Sequence, residues 1–379
     1  MKFEPAHLSE DEDHDVEGTL EEEDELGIIC SPDEDRSINL PFHIRCASHT
    51  LSLIATADAK NITDSRFKKQ SLATFRKCGA LWNACRRPKK GEIVRRVFGC
   101  QFSYPVITRW NSLYDAISLI LTKKEELTSA LWELNLPDFT ENDIKFLEEY
   151  ECVMAPIAAG IDRLQGEKSN LYGYYLPTIL SIEAKLDKID NENLTFAGPL
   201  LAKSKQSLKS RFKSIIELDF SRECVMAMLA ATTNPDIKLK WITIRSSTDT
   251  EVFRRKVLQL LADEMSNLKT CKEETEARPT TVGSDPFFEF KDNSNLEKTA
   301  SNDVDLEVLN FLNDHSCDVS SLNQYPKIRK VFLKHNTPLP SSAAVERLFS
   351  FAGIIHSPKR SMLTDDRLSQ LVLLKSNKF

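Results

Sequence analysis

A mainly α-helical fold is what this sequence predicts, and three observations predict it. From about Ser112 onward, apolar residues recur at steps of three and four through roughly two hundred residues, the signature of helices with one buried face. Only one stretch, "QFSYPVITRW" at 101–110, is rich in aromatic and β-branched residues, and Pro105 inside it allows an edge or short strand at best. Residues 1–36, with "EDEDHD" and "EEEDEL", offer almost no periodic apolar face and are expected to be a disordered acidic tail.

Regular structure is expected to begin near Asn39. Ala47, Leu51 and Ile54 mark one face of a first helix after Pro41. Phe67, Leu72, Phe75 and Leu81 mark a second, running to about Cys85. Four segments then carry helical spacing: "NSLYDAISLILTKKEELTSALWEL", "ENDIKFLEEYECVMAPIAAGIDRLQ", "YLPTILSIEAKLDKI" and "DTEVFRRKVLQLLADEM". Residues 268–303 read as a polar linker ahead of a helix "DLEVLNFLND". The chain closes with "YPKIRKVFLKHN", a helix in "PLPSSAAVERLFSFAG" and a last helix in "LTDDRLSQLVLLKSN".

In the second of these closing helices, Val345, Leu348, Phe349 and Ala352 fall on one face, predicted to be buried, and Gly353 stands where a C-terminal cap is expected. Glu346 lies too far from a Ser341 or Ser342 cap for a capping box, and its neighbours three and four residues away include no Lys or Arg. Such a carboxylate is expected to seek a distant partner. In the last helix Thr364 is the expected N-cap, with Asp365 and Asp366 in the first turn. Leu368, Leu371, Val372, Leu373 and Leu374 cover too much of its circumference for one contact, which points to a second packing surface such as another subunit would offer.

The charge is unevenly distributed. Residues 1–35 hold fifteen acids against Lys2 alone, or −14, so the other 344 carry +7 of the net −7. A mildly basic body suits nucleic-acid contact, although a solvated tail explains the asymmetry more simply. The nine scattered cysteines form no CxxC pair and read as reduced thiols. No run long enough to span a membrane and no signal-peptide order occurs, so an intracellular protein with no membrane role is expected. Walker, GxGxxG, GxSxG and HExxH motifs are absent, which leaves the common nucleotide, hydrolase and zincin readings without an anchor and gives no small-molecule substrate.

Three motifs remain. "HIRCASH" spaces His43, Cys46 and His49 by three, but two such steps leave His43 and His49 about 120° apart on a helix, and no second ligand pair lies nearby. No metal site is therefore assigned, and Cys46 and His49 read better as a packed, hydrogen-bonded pair. "RRPKKGEIVRR" carries six basic residues in eleven, Lys89, Lys90, Arg95 and Arg96 among them, and reads either as a solvated loop or as a phosphate-contacting or nuclear-import segment. Arg109 and Trp110 in "TRWNS" are either a core anchor with a surface charge or a pair that stacks on a base and holds phosphate.

In order, "LPFHIRCASHTLSLI", "VITRWNSLYDA", "YPKIRKVFLKHNTPLPSSAAVERLFSFAGII" and "KRSMLTDDRLSQLVLLKSN" resemble the hAT superfamily of DNA transposases and their domesticated relatives, from about Leu40 to Lys375. The resemblance implies an RNase H-like core interrupted by a large helical insertion. On that pattern residues 37–114 are a partial core, 115–304 the all-helical insertion and 305–379 the C-terminal dimerisation region, where Leu348, Phe349, Leu368, Leu371, Val372 and Leu374 would sit.

It further implies that Glu346 matches the glutamate of a two-aspartate, one-glutamate site for Mg²⁺ or Mn²⁺. Cys46 and His49 match the family's Cys-x-x-His element, and Arg109 and Trp110 its Arg-Trp pair near a flipped base. The two aspartates have no counterpart before Cys46, since Asp33 and Asp35 lie in a polar stretch unlike a strand end, and the family's BED zinc finger is missing. Two metals need several convergent carboxylates. The expectation is therefore a non-catalytic, nuclear, transposase-derived protein without cofactor, acting by dimerisation with itself or a related chain and with possible DNA association. The alternative is a fragment of an active metal-dependent transposase.

Overall fold

The structure is a computed structural model that describes residues 44–106, 111–166, 170–190, 193–244, 250–268, 299–356 and 363–376, with only the backbone of 299–303. The described residues are mainly α-helical and contain no strand. Residues 101–106, expected at a strand edge, form no regular element, and 107–110 fall outside the described residues. Ser112 explains part of this, because its side chain accepts from the Val106 N–H and donates to the Val106 carbonyl, using groups a strand would need.

The chain enters α1 (Ala47–Leu53), continues through one π-helical turn and turns into α2 (Ser65–Cys85). Ala47, Leu51 and Ile54 are buried as their spacing predicts, as are Phe67 and Leu81, but Leu72 is exposed. The basic segment is a helix and not a loop: α3 (Pro88–Phe98) starts with Pro88 in its first turn and buries Val94 and Phe98. Gly99, at φ 68°, ends it in the left-handed conformation that favours glycine.

The stretch 111–134 splits at Lys123 into α4 (Ser112–Thr122) and α5 (Lys124–Leu134). Next comes α6 (Glu141–Leu164), which carries Pro156 in its interior and packs on α1, α2 and α4. Thr140 and Asp143 close a capping box at its start. After α7 (Tyr175–Asp187), the helices α8 (Gly198–Arg211), α9 (Lys213–Glu217) and α10 (Arg222–Thr233) complete the main core, which includes Phe146, Ile161, Leu176, Ile179 and Trp241.

Buried polar groups fix the register of these helices. Asp143 accepts from Thr74 at 2.7 Å, Gln70 at 3.0 Å and Lys77 at 2.6 Å. Burial raises its carboxyl, but Lys77, Thr74 and Thr140 outweigh that and bring it down to about 2. Glu149, also buried, accepts from the backbone N–H groups of Thr195, Phe196 and Ala197 at 2.7–2.9 Å, capping the approach to α8 from another helix.

A smaller cluster joins α11 (Thr250–Asn267), α12 (Thr299–Asn313) and α13 (Pro326–Asn336) around Leu261, Met265, Val308, Phe311, Ile328 and Val331. The helix before residue 305 thus starts earlier than the expected "DLEVLNFLND", and residues 269–298 of the expected linker lie outside the described residues. Asn336 ties this cluster to the main core, accepting from the Gly173 N–H at 2.8 Å and donating to the Ala230 carbonyl at 3.0 Å. A side chain at Gly173 would meet those same groups, so glycine is required by close approach.

Last come α14 (Ala343–Ile355) and α15 (Asp365–Ser376), which pack chiefly on each other. Helix α14 runs through Gly353, so that glycine is not its cap, and His356 follows the last turn instead.

Candidate functional site

The site is assembled where α14 begins. Pro338 and Pro340 lie in the bent connection between α13 and α14, and Ser342 occupies the N-cap position. The Pro340 carbonyl accepts from the Ala47 N–H at 2.9 Å, which docks the start of α14 on the start of α1. Cys46 sits between them. Its sulfur accepts from the Ser342 N–H at 3.2 Å and the His49 N–H at 3.4 Å, and its thiol points to Ser341 Oγ at 3.8 Å. Buried Ser341 accepts in turn from the Ala343 N–H at 3.1 Å. The cysteine thus contributes an N-cap to α1 and satisfies an orphan donor of a helix 296 residues away in sequence.

Glu346 stands one turn into α14, exposed. It is not without a local partner: Ser342 Oγ donates to Glu346 Oε1 at 2.6 Å. The next residue, Arg347, donates to the Gln165 carbonyl at 3.2 Å and fastens α14 to the end of α6. Ser342 was one of the two serines expected as the N-cap, but its bond to Glu346 was not anticipated, and spacing alone gave no role to Arg347.

Cys46 and Glu346 are therefore brought to one junction, with Ser341 and Ser342 between them. His49 joins only through its backbone N–H, and its imidazole is exposed, so the packed Cys46–His49 side-chain pair does not form. Arg109 and Trp110 lie outside the described residues, as do His43, Asp33 and Asp35. Among the described residues no three His, Cys, Asp or Glu side chains converge in a way that would hold a metal ion. One exposed glutamate held by a serine hydroxyl does not fit a two-metal centre.

The basic candidates divide on α3. Lys90 donates to the Leu134 carbonyl at 2.7 Å, Arg96 pairs with Glu133, and Arg95 donates to Gln101 at 2.7 Å, so these three hold α3 to its surroundings. Lys89 is exposed. Tyr104 receives the Arg86 guanidinium over its ring at 5.7 Å.

The apolar stripe of α14 is not buried within the chain as its spacing predicted. Val345, Leu348 and Phe349 are exposed, Phe349 by 70%, where a buried face was predicted; the buried residues of α14 are Ala343 and Ile355. In α15, Leu368 and Val372 are half-buried against α14, while Leu371, Leu373 and Leu374 are exposed. Thr364 does accept from the Arg367 N–H at 3.4 Å, with Asp365 and Asp366 in the first turn. The hairpin of α14 and α15 thus has one covered seam and an open apolar exterior. Among the described residues no helix is long and apolar enough to cross a membrane.

No family model matches this chain, and no curated protein matches it.

Proposed function

We propose that this chain is a transposase-derived protein of hAT type that works through self-association of its C-terminal region, residues 305–379, and not through strand-transfer chemistry. One observation carries the reading. Of the seventeen large hydrophobic side chains exposed among the described residues, twelve lie between Leu306 and Leu374. Water-exposed apolar side chains concentrated in one stretch of an otherwise well-packed chain support a role for that stretch in interaction.

Two further observations support it. The junction of Cys46 with Ser341 and Ser342 joins two of the sequence blocks on which the resemblance rests, blocks separated by nearly the whole chain. Glu346 is exposed, and among the described residues it joins no group of three or more His, Cys, Asp or Glu side chains of the kind that metal-assisted cleavage needs. Nuclear location and DNA association belong to the same proposal, and exposed Lys89 on α3 is the place to look for a phosphate contact.

Sedimentation velocity of the full chain at micromolar concentration tests the reading. Self-association that is lost on deleting residues 361–379 is expected. A monomer at every concentration, unchanged by the deletion, removes it.

A further inference from the structure

Helix α2 covers one of its faces and leaves the other bare. Phe67, Thr74, Cys78, Leu81 and Trp82 are buried, and Lys77 reaches Asp143 at 2.6 Å. On the opposite side Lys69, Leu72, Arg76, Gly79 and Asn83 follow one another at steps of three and four, which makes a single outward stripe about 20 Å long. A helix face that meets only water ordinarily mixes its charges, with acids and bases a turn apart. This one does not: α2 holds five cations and no carboxylate, and exposed Lys68, Lys69 and Arg76 form no ion pair among the described residues.

Three features of the helix lower the stability of the free chain. Arg66, over the Phe196 ring at 5.1 Å, and Lys68 stand at its amino-terminal end, where the helix dipole favours acids. Leu72 keeps 55% of its surface in water. Gly79 occupies the helix interior, where alanine is the better helix former, yet a Cβ added there would meet nothing within 4 Å among the described residues. Packing within the chain gives no reason for that glycine, whereas close approach from outside does.

We propose that this face of α2 docks a segment of a partner protein that is rich in carboxylates and carries a large apolar side chain, seated on Leu72 between Lys69 and Arg76 and passing close to the backbone at Gly79. Such a segment relieves all three features at once: its carboxylates meet the cations, its apolar side chain covers Leu72, and its backbone approaches where no side chain stands in the way. A nucleic-acid backbone would use the cations alone and leave Leu72 and Gly79 without a role. The inference goes beyond self-association through residues 305–379 and does not rest on it.

The test uses the full chain and fluorescein-labelled synthetic peptides, read by fluorescence anisotropy. One peptide has leucines on one helical face with glutamates beside them, and the other has those leucines changed to alanine. The first is expected to bind at least about tenfold tighter, and K69E/R76E and Leu72→Asn are each expected to weaken it by about tenfold or more, with circular dichroism unchanged. Gly79→Leu is the sharpest variant. Its thermal midpoint should equal or exceed that of the wild type, because leucine is the better helix former and nothing crowds it, while peptide binding falls by about tenfold. The proposal is overturned if the first peptide does not bind, if both peptides bind alike, or if Leu72→Asn or Gly79→Leu binds like the wild type. It is also overturned if a DNA duplex displaces the peptide and its own binding is lost in K69E/R76E but kept in Leu72→Asn, which would make α2 a phosphate-binding face. Sedimentation of the same variants reports self-association separately, so either reading can fail alone.

Discussion

The helical body and the C-terminal hairpin are built from the same kinds of residue and reach opposite outcomes. In α6, Phe146, Leu147, Val153, Ile157, Ile161 and Leu164 are all buried, because α1, α2, α4 and α7 surround the helix. In α14 and α15, residues just as apolar meet only each other on one seam. Amphipathic spacing specifies which face seeks burial; it does not say whether the same chain supplies the cover. The body's apolar face is covered within the chain, and among the described residues the hairpin's exterior is not.

The contrast predicts very different costs for similar substitutions. Phe146→Ala removes a fully buried ring that touches Phe67, Phe75 and Tyr150, with centroids 5.6–6.3 Å apart, and is expected to cost about 4 kcal/mol in urea unfolding. The matched change Phe349→Ala should stay within about 0.5 kcal/mol for dilute, monomeric protein. Comparable losses at both sites would mean that the hairpin is covered within one chain.

Asp143→Asn comes next, at about 3 kcal/mol, since it leaves Lys77 facing a neutral group beside buried Thr74. Because the native carboxyl titrates near 2, below the unfolded value of about 4, its stabilisation is fully present above pH 4 and lost as pH falls through 2. Acid unfolding of Asp143→Asn should accordingly be less steep over that window, and an unchanged profile would exclude the assignment. Gly173→Ala should cost about 2 kcal/mol, because the added methyl would lie 2.6 Å from the Ala230 carbonyl oxygen and 2.8 Å from Asn336 Oδ1. Cys46→Ala should cost about 1 kcal/mol, with faster hydrogen exchange expected at the Ser342 and His49 amides and no change elsewhere.

Much of the helical pattern was legible from spacing. Ala47, Leu51 and Ile54, the α6 stripe, and the capped start at Thr364 follow from local rules that need no knowledge of the rest of the chain. What escaped was non-local. The six cations of "RRPKKGEIVRR" hid the Val94 and Phe98 face that makes α3 a helix, and the carbonyl and carboxylate that hold Lys90 and Arg96 come from α5. Leu72 and Phe349 had helical spacing but no cover, and periodicity cannot see that difference. At the candidate site the motif blocks around Cys46 and Ser341 were both noticed, yet their contact spans 295 residues and left no local trace. Glu149 was missed for the same reason, since a side chain that caps another helix looks in sequence like any surface acid.

The measurement closest to the central claim is the solution mass of the intact chain across a dilution series in the micromolar range. The account predicts a species of about twice 43.1 kDa that dissociates on dilution and is lost in F349E/L373E. A mass of 43.1 kDa at every concentration, with the exposed hairpin present, would contradict it.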